Sequence, residues 1–147
     1  MVELQGLQAT LDLGRRIGES ARPGDVVLLE GSLGSGKTVL VRGIALGLGS
    51  DDEVVSPTFV LVRHYLGRLP LVHADLYRLD DAREVDRLGL LELAEDGVLA
   101  VEWPERAPVL EGHASLWLRL SPGANESSRA AAVILAAGHF GDVVGEP

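Results

Sequence analysis

Cysteine is absent from this 147-residue chain, which excludes disulfides, thiolate metal sites and cysteine nucleophiles. Lysine is nearly absent too: Lys37 stands alone, and every other basic side chain apart from histidine is arginine. No apolar stretch approaches the roughly 18 residues a membrane span needs. The N-terminal segment carries Glu3 and Asp12 and lacks the basic-then-apolar order of a signal peptide. The expectation is a cytoplasmic chain without membrane contact. Positive charge is scarce overall, leaving a formal net charge of −9. An extended nucleic-acid surface needs clustered Lys/Arg to neutralise phosphates, so a nucleic acid, if it is the ultimate substrate, would be held by another protein. What is present is apolar: 46% of residues are hydrophobic. With no internal repeat or low-complexity linker, residues 1–147 read as one domain large enough for a full core.

The lone lysine falls in Gly31-Ser-Leu-Gly-Ser-Gly-Lys37-Thr38, which satisfies the phosphate-binding P-loop pattern G-x-x-x-x-G-K-[ST]. The flanks are those the pattern requires. Asp25-Val-Val-Leu-Leu-Glu30 is a short apolar run that reads as a buried strand. Downstream, Val41, Ile44, Ala45 and Leu48 recur at helical spacing, with Gly49 placed to cap the helix. Backbone N–H groups from Leu33 through Gly34, Ser35 and Gly36 to Thr38 can then point at phosphate oxygens, aided by the helix dipole. Lys37 is expected to reach the β- and γ-phosphates and the Thr38 hydroxyl to ligate Mg²⁺.

The remaining pattern predicts a helix over Leu4–Ser20, a turn at Arg22-Pro-Gly-Asp25, and strands over Phe59–Tyr65 and Leu69–Tyr77 joined by a hairpin at 66–68. Asp80 and Asp81 can cap a helix running to about Ala94, followed by strands at Val98–Glu102, Ser115–Leu120 and Ala130–Ala136. Strands outnumber helices, which predicts an α/β, three-layer P-loop fold with a mixed parallel/antiparallel sheet.

A triphosphate site also needs carboxylates at the ends of neighbouring strands. Leu69-Pro-Leu-Val-His-Ala-Asp75 offers Asp75, and Val98-Leu-Ala-Val-Glu102 offers Glu102, which could ligate magnesium, hold the attacking water or simply be solvated. Thr58, in Ser56-Pro-Thr58, lies where nucleotide switches place a hydroxyl that senses the γ-phosphate, although the proline could equally open an edge strand. His73 should share a face with Asp75, either as a packed, hydrogen-bonded histidine or as a catalytic one. Trp103 could cover a nucleotide, dock a partner, or belong to the core or rim.

Four blocks occur in order: the loop at 31–38, Ser56-Pro-Thr-Phe59, His73-Ala-Asp-Leu-Tyr-Arg-Leu79 and Val101-Glu-Trp-Pro-Glu105. In these the chain resembles the TsaE (YjeE) family, bacterial ATPases of tRNA threonylcarbamoyladenosine biosynthesis. The resemblance implies a P-loop NTPase-like fold with ATP and Mg²⁺. It makes Thr38 and Glu102 magnesium ligands with Asp75 as the nearby Walker B carboxylate, and it brings Gly34 through Val39 to the phosphates. Thr58 would lie in a switch-like loop and Trp103 beside the site, with nucleotide contacts also near Leu7, Thr10 and the segment Glu126–Arg129. It further implies that hydrolysis resets a partner complex of TsaB with TsaD. Two departures stand out: Ser32 where the family usually has aspartate, and Val39 where a second threonine often follows.

The expected reaction is transfer of a phosphoryl group from ATP to water, with Lys37, Asp75 and Glu102 as the catalytic set and Arg78, Arg83, Arg87 or Arg106 as candidates to stabilise charge. A small-molecule kinase, or a nucleotide-dependent interaction module with negligible turnover, would use many of the same residues.

Overall fold

The computed structural model describes residues 1–51 and 62–145. Its regular elements are β1 (Val2–Gln5), α1 (Gly6–Ser20), β2 (Asp25–Glu30), α2 (Lys37–Gly47), β3 (Val62–Tyr65) and β4 (Leu71–Asp75). They continue with α3 (Arg83–Leu88), α4 (Leu90–Leu93), β5 (Val98–Glu102), β6 (Leu116–Pro122), β7 (Ser128–Ala136) and α5 (Gly141–Val144). Three 3-10 turns, Pro104–Arg106, Pro108–His113 and Gly138–Phe140, link the later elements. The Ser56–Phe59 block, with Thr58, lies outside the described residues.

Among the described residues seven strands form one sheet in the order β1-β7-β6-β2-β5-β4-β3. Its centre is parallel, with β2 between β5 and β6 and β4 beside β5. The edges are antiparallel, through β3 on β4 and through β6, β7 and β1. This is the mixed sheet the strand-rich pattern predicts. β2 reads as an unbroken apolar run because both its faces are covered. One core packs α1 and α2 on one face through Leu13, Ile17, Leu40 and Ile44 against Val27, Leu29 and Ala100. The other packs α3, α4 and the 3-10 turns through Val85, Leu90 and Leu110 against Leu28, Val72 and Leu99. Helices on both faces of a sheet make three layers.

α1 and α2 approach closely enough that glycine is required at the crossing. A Cβ on Gly43 would lie 2.4 Å from the Leu11 carbonyl oxygen, and one on Gly14 would lie 2.3 Å from that of Leu40. α2 ends as its sequence predicts. Gly49 takes φ +79°, its N–H bonds the Leu46 carbonyl at 3.0 Å and the Ser50 N–H bonds that of Ala45 at 2.9 Å, the two bonds of a Schellman cap.

Two expected helices are corrected. Leu4 belongs not to α1 but to β1, where it pairs with Arg129. Gly6, at φ +78° and with its N–H on the Ser127 carbonyl at 2.8 Å, turns the strand into the helix. The helix expected from Asp80 to Ala94 is divided at Gly89, whose left-handed φ of +60° ends α3 before α4 begins. Among the described residues no helix is long and apolar enough to cross a membrane.

Candidate functional site

β2 delivers the chain to the P-loop, and α2 carries it away with Lys37 as first helical residue. Gly34 and Gly36 adopt φ of +76° and +103°, conformations that side chains resist. At Gly31 a Cβ would meet Ser35 Oγ at 2.5 Å and the Leu120 carbonyl oxygen at 2.7 Å. The first bond into α2 runs from the Leu40 N–H to the Gly36 carbonyl at 2.9 Å. A helix leaves its earlier N–H groups without an internal acceptor, so those of Lys37, Thr38 and Val39 face the loop's concavity. Ser35 Oγ is buried and has no hydrogen-bond partner among the described residues. Unspent donors around a glycine-lined hollow suit an anion with several oxygens.

The hollow opens into a cavity of about 470 Å³. Its wall takes Leu33, Gly34, Ser35, Gly36, Lys37, Thr38 and Val39 from the loop and α2. Asp75 comes from the end of β4, and Glu102 and Trp103 from the end of β5 and just beyond. Asp75 and Glu102 are register partners on adjacent parallel strands. Leu7 and Thr10 of α1, with Glu126 just before β7 and Arg129 at its start, complete the sides the family resemblance implies, joined by Gly6 and Ser127. Of the proposed contacts only Thr58 is left out, because it falls outside the described residues.

Lys37 is 4% exposed. Its ammonium donates to the Gly31 carbonyl, and to that of Ser32 at 2.9 Å. It also sits 4.5 Å from the centre of the Trp103 ring, a favourable approach of a cation to a π face. Burial pulls its pKa below the ordinary lysine value, while the charges of Glu102, Asp75 and Glu105 work against that shift. The Thr38 hydroxyl lies 3.2 and 3.1 Å from the two oxygens of Glu102. Glu102 in turn takes the His73 ring, Nε2 to Oε2, at 2.6 Å. Asp75 accepts the Tyr77 N–H at 2.9 Å, and burial raises its pKa above the usual aspartate value.

Trp103 is, among the described residues, the non-glycine residue with positive φ, at 61°. Such a backbone costs energy in a bulky residue, and Pro104 next in sequence disfavours the right-handed helical alternative. The result places the indole over Lys37 and 4.8 Å from the Tyr77 ring.

Hydroxyl and carboxylate at this spacing, beside the anion hollow, fit a hard divalent cation that also binds phosphate oxygens. Among the described residues no group of three or more His, Cys, Asp or Glu could hold a metal unaided. A metal here would therefore need further oxygens from a bound ligand or from water.

Some placements were not evident from local sequence pattern, and the 126–129 segment was reached only through the family resemblance. Arg129 is the arginine in the cavity wall, its guanidinium 3.4 Å from the Gly34 carbonyl oxygen. Arg78, Arg83, Arg87 and Arg106 do not line that wall, and Arg83 is bound to the neighbouring Asp81 at 2.8 Å. The one local signal for the 125–129 segment is turn chemistry, since Asn125 accepts the Ser127 N–H at 3.1 Å in an Asx turn. Glu30, although it ends the P-loop strand, is drawn off by Trp117 Nε1 and Arg119 Nε, each at 2.9 Å.

The family model for "Threonylcarbamoyl adenosine biosynthesis protein TsaE" matches residues 4–131. The chain is 47% identical over 108 residues to a tRNA threonylcarbamoyladenosine biosynthesis protein TsaE from Nostoc, covering 69% of this chain and 65% of that protein. It is 48% identical over 98 residues to the Streptomyces coelicolor protein of the same description, covering 64% and 66%. The matched stretch thus spans a little under two thirds of each relative's length. Among solved structures, YdiB of Bacillus subtilis superposes with a TM-score of 0.74 at 28% identity, covering 97% of this chain and 88% of that one.

Proposed function

This chain belongs to the TsaE family of threonylcarbamoyl adenosine biosynthesis proteins, and on that premise we propose that it binds ATP in the 470 Å³ cavity and hydrolyses it with magnesium. The observation that carries the reading is the convergence on one cavity of the P-loop, its buried lysine and two strand-end carboxylates. Lys37 would leave the loop carbonyls for the oxygens at the β–γ bridge, which offer the desolvated ammonium a full counter-charge. The N–H groups of the loop and first helical turn would take the remaining β- and γ-oxygens. Thr38 and Glu102 would hold Mg²⁺, with Asp75 beside them, and the bound metal would neutralise charge developing on the phosphates. Glu102 or Asp75 would orient a water whose oxygen bonds the γ-phosphorus as the bond to the bridging oxygen breaks. ADP and inorganic phosphate leave, and the water's proton passes to phosphate or solvent.

Positioning dominates such a reaction, so the chain's own contribution is geometry, and slow turnover in isolation is expected. The partner complex it serves would be TsaB with TsaD, and the output would be modification of tRNA by that complex. The net charge of −9 supports a subunit that docks on protein and leaves tRNA to its partners.

Calorimetry and turnover assays on two variants test this. Lys37→Ala should weaken ATP binding about tenfold to a hundredfold, the worth of a charge-assisted hydrogen bond of about 1.5–3 kcal/mol. Glu102→Ala should still bind nucleotide while magnesium-dependent turnover falls about 10²–10⁴-fold. Unchanged ATP affinity in the first variant would sink the phosphate-grip reading, and intact turnover in the second would remove Glu102 from the chemistry.

A further inference from the structure

His73 sits in the middle of β4, 0% exposed, and does not line the cavity. Its register partner on β5 is Ala100, yet its ring reaches the carboxylate two residues further on, with Nε2 2.6 Å from Oε2 of Glu102. Nδ1 is buried and has no hydrogen-bond partner among the described residues. An ionised carboxylate can only accept. Hydrogen on Nδ1 would therefore bury an unpaired donor and set two lone pairs against each other across the short contact. Hydrogen on Nε2 leaves only a bare acceptor at Nδ1, so the surroundings select the Nε2–H tautomer. Packing alone gives no reason for an imidazole here, because its neighbours Leu71, Val72 and Ala74 are apolar and buried and an unpaired polar nitrogen costs stability.

The two oxygens of Glu102 are treated unequally. Oε2 takes the imidazole N–H as well as a share of the Thr38 hydroxyl, whereas Oε1 has only that shared hydroxyl, whose single hydrogen serves both. Oε1 therefore keeps the greater accepting capacity of a carboxylate that lines the cavity.

We propose that His73 is a positioning residue: its Nε2–H clamps Oε2 of Glu102, so that Oε1 is presented to the metal–triphosphate end of the site. This rests on the ATP reading proposed above. His73 touches no substrate; it acts through Glu102, and removing its donor should weaken the carboxylate's use of magnesium while leaving the P-loop's grip intact.

Two measurements test the assignment. Nitrogen-15 NMR of the nucleotide-free protein should report His73 as the Nε2–H tautomer, with its ring resonances moved by Glu102→Gln; an Nδ1–H ring would overturn the clamp. Calorimetric titration with ATP, with and without magnesium, then reads the function. His73→Leu should keep metal-free affinity within about twofold yet lose at least about fivefold of the gain magnesium confers, since a factor of five is about 1 kcal/mol, the scale of one hydrogen bond. His73→Gln, whose amide places a donor near the Nε2 position, should recover most of that gain. An undiminished magnesium gain in the leucine variant would overturn the proposal. Should that variant fail to fold, His73→Gln is set against His73→Asn, whose shorter amide falls short of Glu102; equal gains in both would overturn it too. A folded wild type that binds no ATP would overturn the ATP reading and the role of Glu102 with it, an outcome the variants cannot mimic.

Discussion

Lys37 and Asp75 line one cavity, and burial favours the uncharged form of each. A bound anion would restore the charge of the lysine while pushing the aspartic acid further toward its protonated form. The consequence for stability is sharpest at Asp75. Its folded pKa is raised above 3.8, so the folded protein holds that proton more tightly than the unfolded chain does. Its contribution is therefore most favourable at low pH and declines as pH rises through 3.8 and on through the raised value. Asp75→Asn, which keeps an acceptor for the Tyr77 N–H, should melt above the wild type at pH 7. The gap should close once the pH falls below 3.8, the ordinary aspartate value. Thermal melts across that range check it, and a gap that widens toward acid would reverse the assigned sign. Pattern alone put Lys37 and Thr38 in the P-loop and Asp75 and Glu102 at strand ends, but left open whether Glu102 binds metal, holds water or is solvated; the family resemblance joined them as a set. Arg129 was reached only through the family resemblance, since nothing in its local sequence says that β7 begins beside the loop.

The elements that carry these residues depend on how closely they pack. The α1–α2 crossing brings Thr10 to the P-loop's first helical turn, and it exists because Gly14, Gly18, Gly43 and Gly47 let two backbones touch. Gly43→Ala should cost about 1–3 kcal/mol by denaturant unfolding, the usual penalty for overfilling a packed contact. Gly112→Ala, where an added Cβ meets nothing within 4 Å, should differ from wild type by less than about 0.5 kcal/mol. Equal losses in both variants would mean that the crossing is looser than described. Periodicity revealed α1 and α2, but not that their glycines interlock, because apolar spacing reports which face is buried and not how close its neighbour comes. The same limit explains β1: Leu4 fits the helical pattern, and only pairing with β7 from the far end of the chain makes it a strand. Gly89, inside an otherwise helical run, carried its own signal, since an internal glycine lowers helix propensity.

Over the whole molecule, the sheet's parallel centre and antiparallel edges set the P-loop, Asp75 and Glu102 at one end of three adjacent strands. Ligands of open α/β sheets characteristically bind there, outside the carboxyl ends of the strands. Class and sheet type could be read from strand count, whereas strand order could not, because no local property of β6 or β7 states its neighbour. Charge acts at this scale as well. Titration with tRNA at physiological salt should give a Kd weaker than about 10⁻⁴ M, at or below ordinary non-specific binding. Tight binding that falls steeply with salt would contradict a protein-docking role. The proposed function makes the cavity an ATPase site that answers to a partner. It is tested most directly by measuring ATP hydrolysis by this protein with magnesium, alone and with purified TsaB–TsaD from the same organism. Turnover should be slow alone and markedly stimulated by the pair, and both should be lost with Glu102→Ala. No hydrolysis above background in either condition, with the pair unable to bind the protein, would contradict it.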